Sequence, residues 1–517
     1  MKPMQFRILT WATAIFLTAG LPFSVLAAEE PPTASETGGV AETAATALPA
    51  AEPTPTKMTI LQAVEKGKAM LRIELTKRQK AEKKPPTYAS KKSPLHVAWA
   101  VWDRDTDRIT LYGGTKTGTK LKLDDPAAPQ IKVTLDAGLG SRYSVPDNRL
   151  AVGVLYPVLT AVKVKKTTVY QAERVVIAPY NRAFFVPEVL GAGSDYLSFR
   201  VKDAFDDLRA RGVKSRTFKD RLLVDVVDPY LIKSVVVIEH TGHDALLNRE
   251  DPETALGKFF VDLALNQDET FGKAVSAAGA RGLAQFIPST YKLYVKNRPE
   301  LGLIADFSAG MADHVNALKA EAAYLDESLS QMPEGLRNLY LRDASQAAAF
   351  LAAAYNGGSV RVRRAFNHWG ELWAESHTKE ISKLSARNEA LIDQIEAYKK
   401  KVKKAATKKE KTKLEDQIWT WRKERKGVLA RLDELKTNSL KEETVLYVAK
   451  ARKVYGMLAV GMYATPNAPS GALPTPIQPV PAVVAAIPAA DASSDQLALR
   501  PAGGQMYCFA EGCVLAN

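Results

Sequence analysis

SAAGARGLAQFIPSTY, residues 276–291, sets two glycines three positions apart among alanines and follows them with a glutamine, a proline and a tyrosine. A solvated helix face does not need small residues at this density, and a linker would not carry Leu283, Phe286 and Ile287. The pattern calls for something that comes close to the backbone. Either another part of the chain packs at Gly279 and Gly282, or an extended ligand lies in a groove there.

Upstream lies YLIKSVVVIEHTGHD, residues 230–244. Asp228-Pro229 before it makes a helix start, a capping side chain followed by proline at the first helical position. That helix turns Leu231, Val235 and Ile238 inward and presents Glu239 at the end of an apolar run. Partial desolvation there disfavours the carboxylate and raises its pKa, as a general acid at neutral pH requires. On the residues alone, a capped or salt-bridged glutamate fits the same position. Downstream, Ala264 lies on one helix, Met311 to Leu329 form another, and Ala344 to Tyr355 a third, which Asn356-Gly357-Gly358 stops.

Four separated segments carry a resemblance: Glu239 after its apolar helix, SAAGARGLAQFIPSTY, FLAAAYNGG at 350–358 and KEETVLYVAKA at 441–451. Together they resemble the soluble lytic transglycosylase domain, whose superfamily includes goose-type lysozyme. The matching positions are Ser276, Gly279-Ala280, Gly282-Leu283, Gln285, Pro288 and Thr290, then Ala354-Tyr355-Asn356 with Gly358, and Glu443-Thr444 with Tyr447-Val448. The resemblance implies an all-α lysozyme-like catalytic domain over 229–375, with its final helix at 440–460. It implies Glu239 as the catalytic acid. Ser276 and Gln285 would contact the sugar or its N-acetyl groups, Tyr355 would lie near the acid, Asn356 would bond the glycan, and Glu443 would line the cleft. Neither metal nor cofactor is implied.

The chain departs from the family pattern in three places. His240 stands where the family has serine. Glu239 precedes Ser276 by 37 positions instead of about nine, which leaves 245–275 as an added helical segment. Glu250, Glu253 and Glu269 on that segment follow no comparable apolar helix. A long insertion separates the third and fourth segments. His240 and His243 beside Asp244 form HxxH, which lacks the i, i+4 spacing of zinc helices, so no metal is expected.

The insertion, 376–439, reads as an antiparallel coiled-coil hairpin. Ile381, Leu384, Asn388, Leu391, Ile395, Tyr398 and Val402 are spaced by threes and fours, and so are Leu414, Ile418, Trp421, Arg425, Val428, Leu432 and Leu435. Asn388 and Arg425 interrupt the apolar seams, a device that fixes register. Between the arms, Lys399 to Lys413 hold nine lysines and one acid, Glu410. The formal net charge of +14 favours an anionic partner. The lysine run has no interleaved stacking residues, so nucleic acid is not expected, and a solvated face or attraction to an anionic envelope is.

Before residue 229 the fold class changes, so the whole is α+β and multidomain. A charged start, an apolar run from Ile8 to Ala19 and Val25-Leu26-Ala27 predict a signal peptide over 1–27 and a periplasmic mature chain without a stable span. A disordered linker, 28–57, and a helix from about Ile60 to Lys80 within 58–89 follow. Residues 90–228 read as a mostly β domain of unassigned role, from strands at 97–101, 109–112, 131–135, 162–170, 174–178 and 221–227, with one helix near Tyr196–Arg211. The tail, 461–517, is rich in proline and alanine and ends in Cys508 and Cys513, expected to close a local disulfide in an oxidising compartment.

The expected activity is lytic cleavage of the bond between N-acetylmuramic acid and N-acetylglucosamine in peptidoglycan, for wall opening by an envelope secretion or pilus machine. A goose-lysozyme-like hydrolase, with Asp268 or Glu269 as second carboxylate, and a peptidoglycan-binding scaffold with little turnover are the alternatives.

Overall fold

The computed structural model describes residues 57–81, 86–90, 93–164, 167–247 and 252–465, and the backbone of two strands, Gln505–Phe509 and Gly512–Ala516. The expected leader 1–27, the expected linker up to residue 56, the run 466–504, Glu250 and the side chains of His243, Cys508 and Cys513 lie outside the described residues. The two terminal strands run antiparallel with Cys513 opposite Cys508.

The first helix, α1 (Ile60–Ala81), lies on an antiparallel sheet. The strands are β1 (Thr87–Tyr88), β2 (Leu95–Asp103), β3 (Arg108–Thr117), β4 (Lys120–Leu123), β7 (Arg149–Val164) and β8 (Thr167–Ile177), in the order β1-β8-β7-β2-β3-β4. A separate pair, β5 (Lys132–Leu135) and β6 (Arg142–Ser144), covers its other face. Strand β2 is therefore buried on both sides. Ala98, Ala100 and Trp102 join the core under α1, while Val97, Trp99 and Val101 pack with Tyr143 and Val145. Close approach explains two glycines: a Cβ on Gly67 of α1 would come 2.8 Å from Val152, and one on Gly153 would come 2.8 Å from Leu71.

Two expected strands are corrected. Residues 162–170 are the meeting of β7 and β8, because Val164 pairs with Thr167. RLLVDVV at 221–227 contains a short 3-10 turn, Leu223–Asp225, with Leu223, Val224, Val226 and Val227 all buried. A short apolar run without alternation does not distinguish a strand from a buried turn.

Helix α2 (Pro187–Ala210) is longer than expected and packs against α5 (Pro252–Asn266), the helix of the added segment. Between them come α3 (Pro229–His240) and the short α4 (His243–Leu247). A Cβ on Gly193 of α2 would meet the Phe260 carbonyl oxygen of α5 at 1.9 Å, so this contact is backbone against backbone. The sheet and helices share one continuous core. Asn266 bonds Ala178 in both directions, at 2.7 and 3.0 Å, and Lys68 of α1 donates to the Leu265 carbonyl at 3.1 Å.

After α6 (Pro288–Asn297) come α7 (Phe307–Ala312) and α8 (His314–Ser330). The single helix expected from Met311 to Leu329 is thus divided, because the Asp313 side chain accepts from the Asn316 N–H at 2.8 Å and caps α8. Then follow α9 (Glu334–Arg342), α10 (Ala344–Gly357) and α11 (Ser359–Trp369). The last helix, α14 (Glu442–Ala459), packs on both α10 and α3.

The insertion forms α12 (Thr378–Lys404) and α13 (Lys408–Asn438), which lie side by side and antiparallel. Leu391, Ile395, Ile418, Leu432 and Leu435 are buried between them, and Tyr398 meets Trp421 edge to face. The two polar seam residues find each other: Arg425 donates to Asn388 Oδ1 at 3.0 Å. Among the described residues no helix is long and apolar enough to cross a membrane.

Candidate active site

Helix α3 is held at both ends by distant parts of the chain. At its start the fully buried Asp228 accepts from the Tyr230 N–H at 2.9 Å and from the Tyr455 hydroxyl of α14. The Asp228 N–H donates to Tyr340 of α9 at 2.9 Å. At its end Lys450 of α14 donates to the Ile238 and Thr241 carbonyls, each at 2.9 Å, sharing the first with the Thr241 N–H and helping to satisfy the last turn. Residues 231–238 are all buried.

Glu239 sits on the final turn, and its Oε1 accepts from the Tyr447 hydroxyl at 2.8 Å, across 208 residues of sequence. Burial pushes its carboxyl up to about 7. The Tyr447 hydrogen bond and the Lys450 ammonium oppose this, and the Glu443 carboxylate adds to it. A carboxyl poised there can donate a proton and take one back at neutral pH. Glu443 itself is exposed on the first turn of α14.

The four sequence segments converge here through hydrogen bonds. The first meets the fourth at Glu239–Tyr447. The third meets the second where the Tyr355 hydroxyl donates to the Ala284 carbonyl, and meets the fourth where Thr444 donates to Asn356 Oδ1 at 2.8 Å. The first meets the second where His240 Nε2 donates to the Leu283 carbonyl at 2.8 Å. His240 stacks on Phe271 with ring centroids 3.7 Å apart, and burial lowers its pKa to about 4, so it is neutral. In place of the expected serine stands a side chain that pins the second segment.

The glycines of that segment differ in purpose. Gly282 has φ +71°, and a Cβ there would lie 1.9 Å from the Met311 carbonyl oxygen, so chain packing explains it. Gly279 has φ +82° with nothing within 4 Å of a Cβ, so its backbone conformation is the reason and space remains beside it. Gln285 also has positive φ, +49°, and its amide donates to the Gly282 carbonyl at 2.8 Å. Ser276 is exposed, and its hydroxyl accepts from the Ala280 N–H at 3.0 Å. Ser276, Gln285 and Asn356 therefore each make a bond within the protein that a ligand would have to share or replace.

Three neighbours of Glu239 went unassigned in the sequence. Tyr447 carried a signal, since it lies four residues after Glu443 and so on the same helix face. Lys450 carried none. Glu321 did: Leu318, Glu321 and Leu325 are spaced three and four apart, which puts a carboxyl on the apolar face of α8. Glu321 is 0% exposed and neither oxygen has a hydrogen-bond partner among the described residues. Burial first, then the Glu239 charge, raises its pKa well above the ordinary 4.5, so it is a neutral acid. The native state then holds a proton that the unfolded chain gives up above about pH 4.5, and stability falls as pH rises from there. Glu321→Gln is accordingly expected to melt above the native chain at pH 8 and to lose that advantage towards pH 4.5. A melting difference independent of pH would show that Glu321 is not held protonated.

Three described carboxylates of the added segment are paired or exposed. Glu269 pairs with Lys68 at 2.7 Å and Arg72 at 2.8 Å, and Asp268 pairs with Arg200 at 2.9 Å. Glu253 is exposed. The described residues contain no cluster of histidine, cysteine, aspartate and glutamate able to hold a metal ion.

Comparison with curated proteins and with solved structures gave no match. A family model described as Transglycosylase SLT domain matches residues 264–376. The match begins after Glu239 and ends before α12, taking in the second and third segments but neither Glu239 nor Glu443. Residues 264–376 thus match the transglycosylase SLT domain, consistent with a soluble lytic transglycosylase domain of the lysozyme-like superfamily.

Proposed function

We propose that the chain is a periplasmic lytic transglycosylase that cuts the bond between N-acetylmuramic acid and N-acetylglucosamine, with Glu239 as its single acid and base. The observation that carries the reading is the Glu239 carboxyl, raised to about 7 and bonded to Tyr447 beside the matched domain. Protonated Glu239 gives its proton to the glycosidic oxygen, and the substrate's acetamido group stabilises the developing positive charge. The carboxylate then takes the proton of the 6-hydroxyl as that oxygen closes a 1,6-anhydro ring. Ser276, Gln285 and Asn356 bind the glycan along the open side of the second segment, Tyr355 buttresses that segment, and Glu443 lines the cleft. Cys508 and Cys513 close a local disulfide, which their opposed positions favour. A hydrolase needs a second carboxylate or a held water, and the ion pairs of Asp268 and Glu269 disfavour both of them in that role. Mass analysis of muropeptides released from purified sacculi tests the proposal: anhydro ends support it, and products heavier by one water overturn it.

The pH profile provides a second test. Cleavage needs protonated Glu239, so kcat/KM is expected to fall above about pH 7. The Tyr447 hydrogen bond favours the charged form, and removing it raises the pKa further. Tyr447→Phe is expected to move the alkaline limb to higher pH while retaining measurable turnover. An unmoved limb would mean that another group sets it.

A further inference from the structure

We infer that the tip of the α12–α13 hairpin is a docking site for an anionic phospholipid surface, set apart from the catalytic domain by the length of the arm. The base of the hairpin is tied down: His368 meets Glu434 at 3.0 Å, and Trp369 Nε1 donates to the Asn438 carbonyl at 2.8 Å. Along the shaft, charges are paired between the arms, Arg387 with Glu424 at 2.7 Å and Arg431 with Glu380 at 3.0 Å. At about 1.5 Å per residue, the 27 residues of α12 carry the tip about 40 Å from that base.

The tip follows a different rule. Lys400, Lys403, Lys404, Lys408, Lys409 and Lys413 are exposed and have no ion-pair partner among the described residues. Lys408 and Lys409 occupy the first turn of α13, where positive charge opposes the helix dipole. Lys403 and Lys404 in the last turn of α12 complement its dipole, but Lys408 and Lys409 gain nothing of the kind, which makes a partner outside the chain the better explanation for the whole cluster.

The charge type points to the partner. Residues 399–413 contain no arginine, although the shaft uses Arg387, Arg425 and Arg431 for defined bonds. Arginine suits bidentate recognition of one fixed anion, whereas lysine is a hydrated point charge on a flexible stem. A cluster of lysines without a formed pocket fits a diffuse array of headgroups. Tyr398, the aromatic nearest the tip, is engaged by Trp421 and Lys401, and the exposed Trp419 farther along α13 has Lys423 over its ring.

The test is co-sedimentation of the full exported chain with vesicles of phosphatidylethanolamine containing phosphatidylglycerol, against vesicles of phosphatidylcholine alone. Each lysine at an anionic surface is worth about a fivefold change in partitioning. Replacing Lys403, Lys404, Lys408 and Lys409 by glutamine is therefore expected to weaken binding to the anionic vesicles by more than about a hundredfold. High salt should do the same to the native chain, and neither should bind phosphatidylcholine. The variant should melt no lower than the native chain and release muropeptides from sacculi at an unchanged rate, so the result stands apart from the fate of the catalytic proposal. Equal vesicle binding by both chains, or by neither, overturns the inference. Loss of sacculus binding in the variant without any vesicle binding overturns it in favour of a wall polymer.

Discussion

Glu239→Gln is expected to fold like the native chain and to lose at least about 10²–10⁴-fold in muropeptide release, the range for removing a general acid–base group. The amide keeps the shape and still accepts from Tyr447, so the bond between α3 and α14 survives. It can neither give nor take the proton, and both steps of the proposed reaction fail together. Binding to sacculi should persist, because Gln285 and Asn356 are untouched. The stability sign is also fixed. The folded pKa of about 7 lies above the ordinary 4.5, so the native chain loses stability as pH rises through that window, and the glutamine variant does not. Glu239→Gln should therefore melt relatively higher at pH 8 than at pH 4.5. Near-native release of anhydro-muropeptides by Glu239→Gln, with Glu269→Gln inactive, would move the acid to the added segment.

Gly282→Ala is expected to cost about 2–5 kcal/mol, from left-handed backbone strain together with overpacking. Its φ of +71° disfavours any Cβ, and the Met311 carbonyl oxygen at 1.9 Å is backbone that cannot rotate away. Relief requires the second segment to lift off α7. That would displace the Leu283 and Ala284 carbonyls that hold His240 and Tyr355, so activity should fall with stability. Gly279→Ala provides the contrast. Its φ is also positive but its Cβ meets nothing within 4 Å, so only the conformational cost of about 1–2 kcal/mol applies. Chemical denaturation of both variants decides the matter, and equal losses would show that the Met311 contact is not the determinant.

Much of this molecule was legible along the chain because the relevant signals are local. Asp228-Pro229 announced the start of α3, and the apolar run up to Glu239 placed a carboxyl at its end. The spacing of Leu391, Ile395, Ile418, Leu432 and Leu435 marked the faces that α12 and α13 bury, and Asn388 and Arg425 were visible as the polar breaks that meet each other. A helix cap or a periodic stripe depends on residues within a turn or two, so one segment contains the whole message.

Local spacing failed where the deciding neighbour was remote. RLLVDVV has the composition of a strand but makes only an isolated bridge, Leu222 with Lys214, before it turns and buries its side chains in the shared core. Asp313 divides one apolar stripe into two helices, since its cap competes with continuation of the stripe. Gly282 is glycine because Met311 lies against it, and His240 is neutral because its burial against Phe271 and Phe259 outweighs the Leu283 hydrogen bond, which favours the charged form. The state of Glu239 depends most of all on tertiary structure. Its proton affinity is the balance of burial by α3's surroundings, a hydroxyl and an ammonium from α14, and the pressure of Glu443. Each of these acts through space over a few ångströms, across about 200 residues of chain, and no periodicity within one segment reports it.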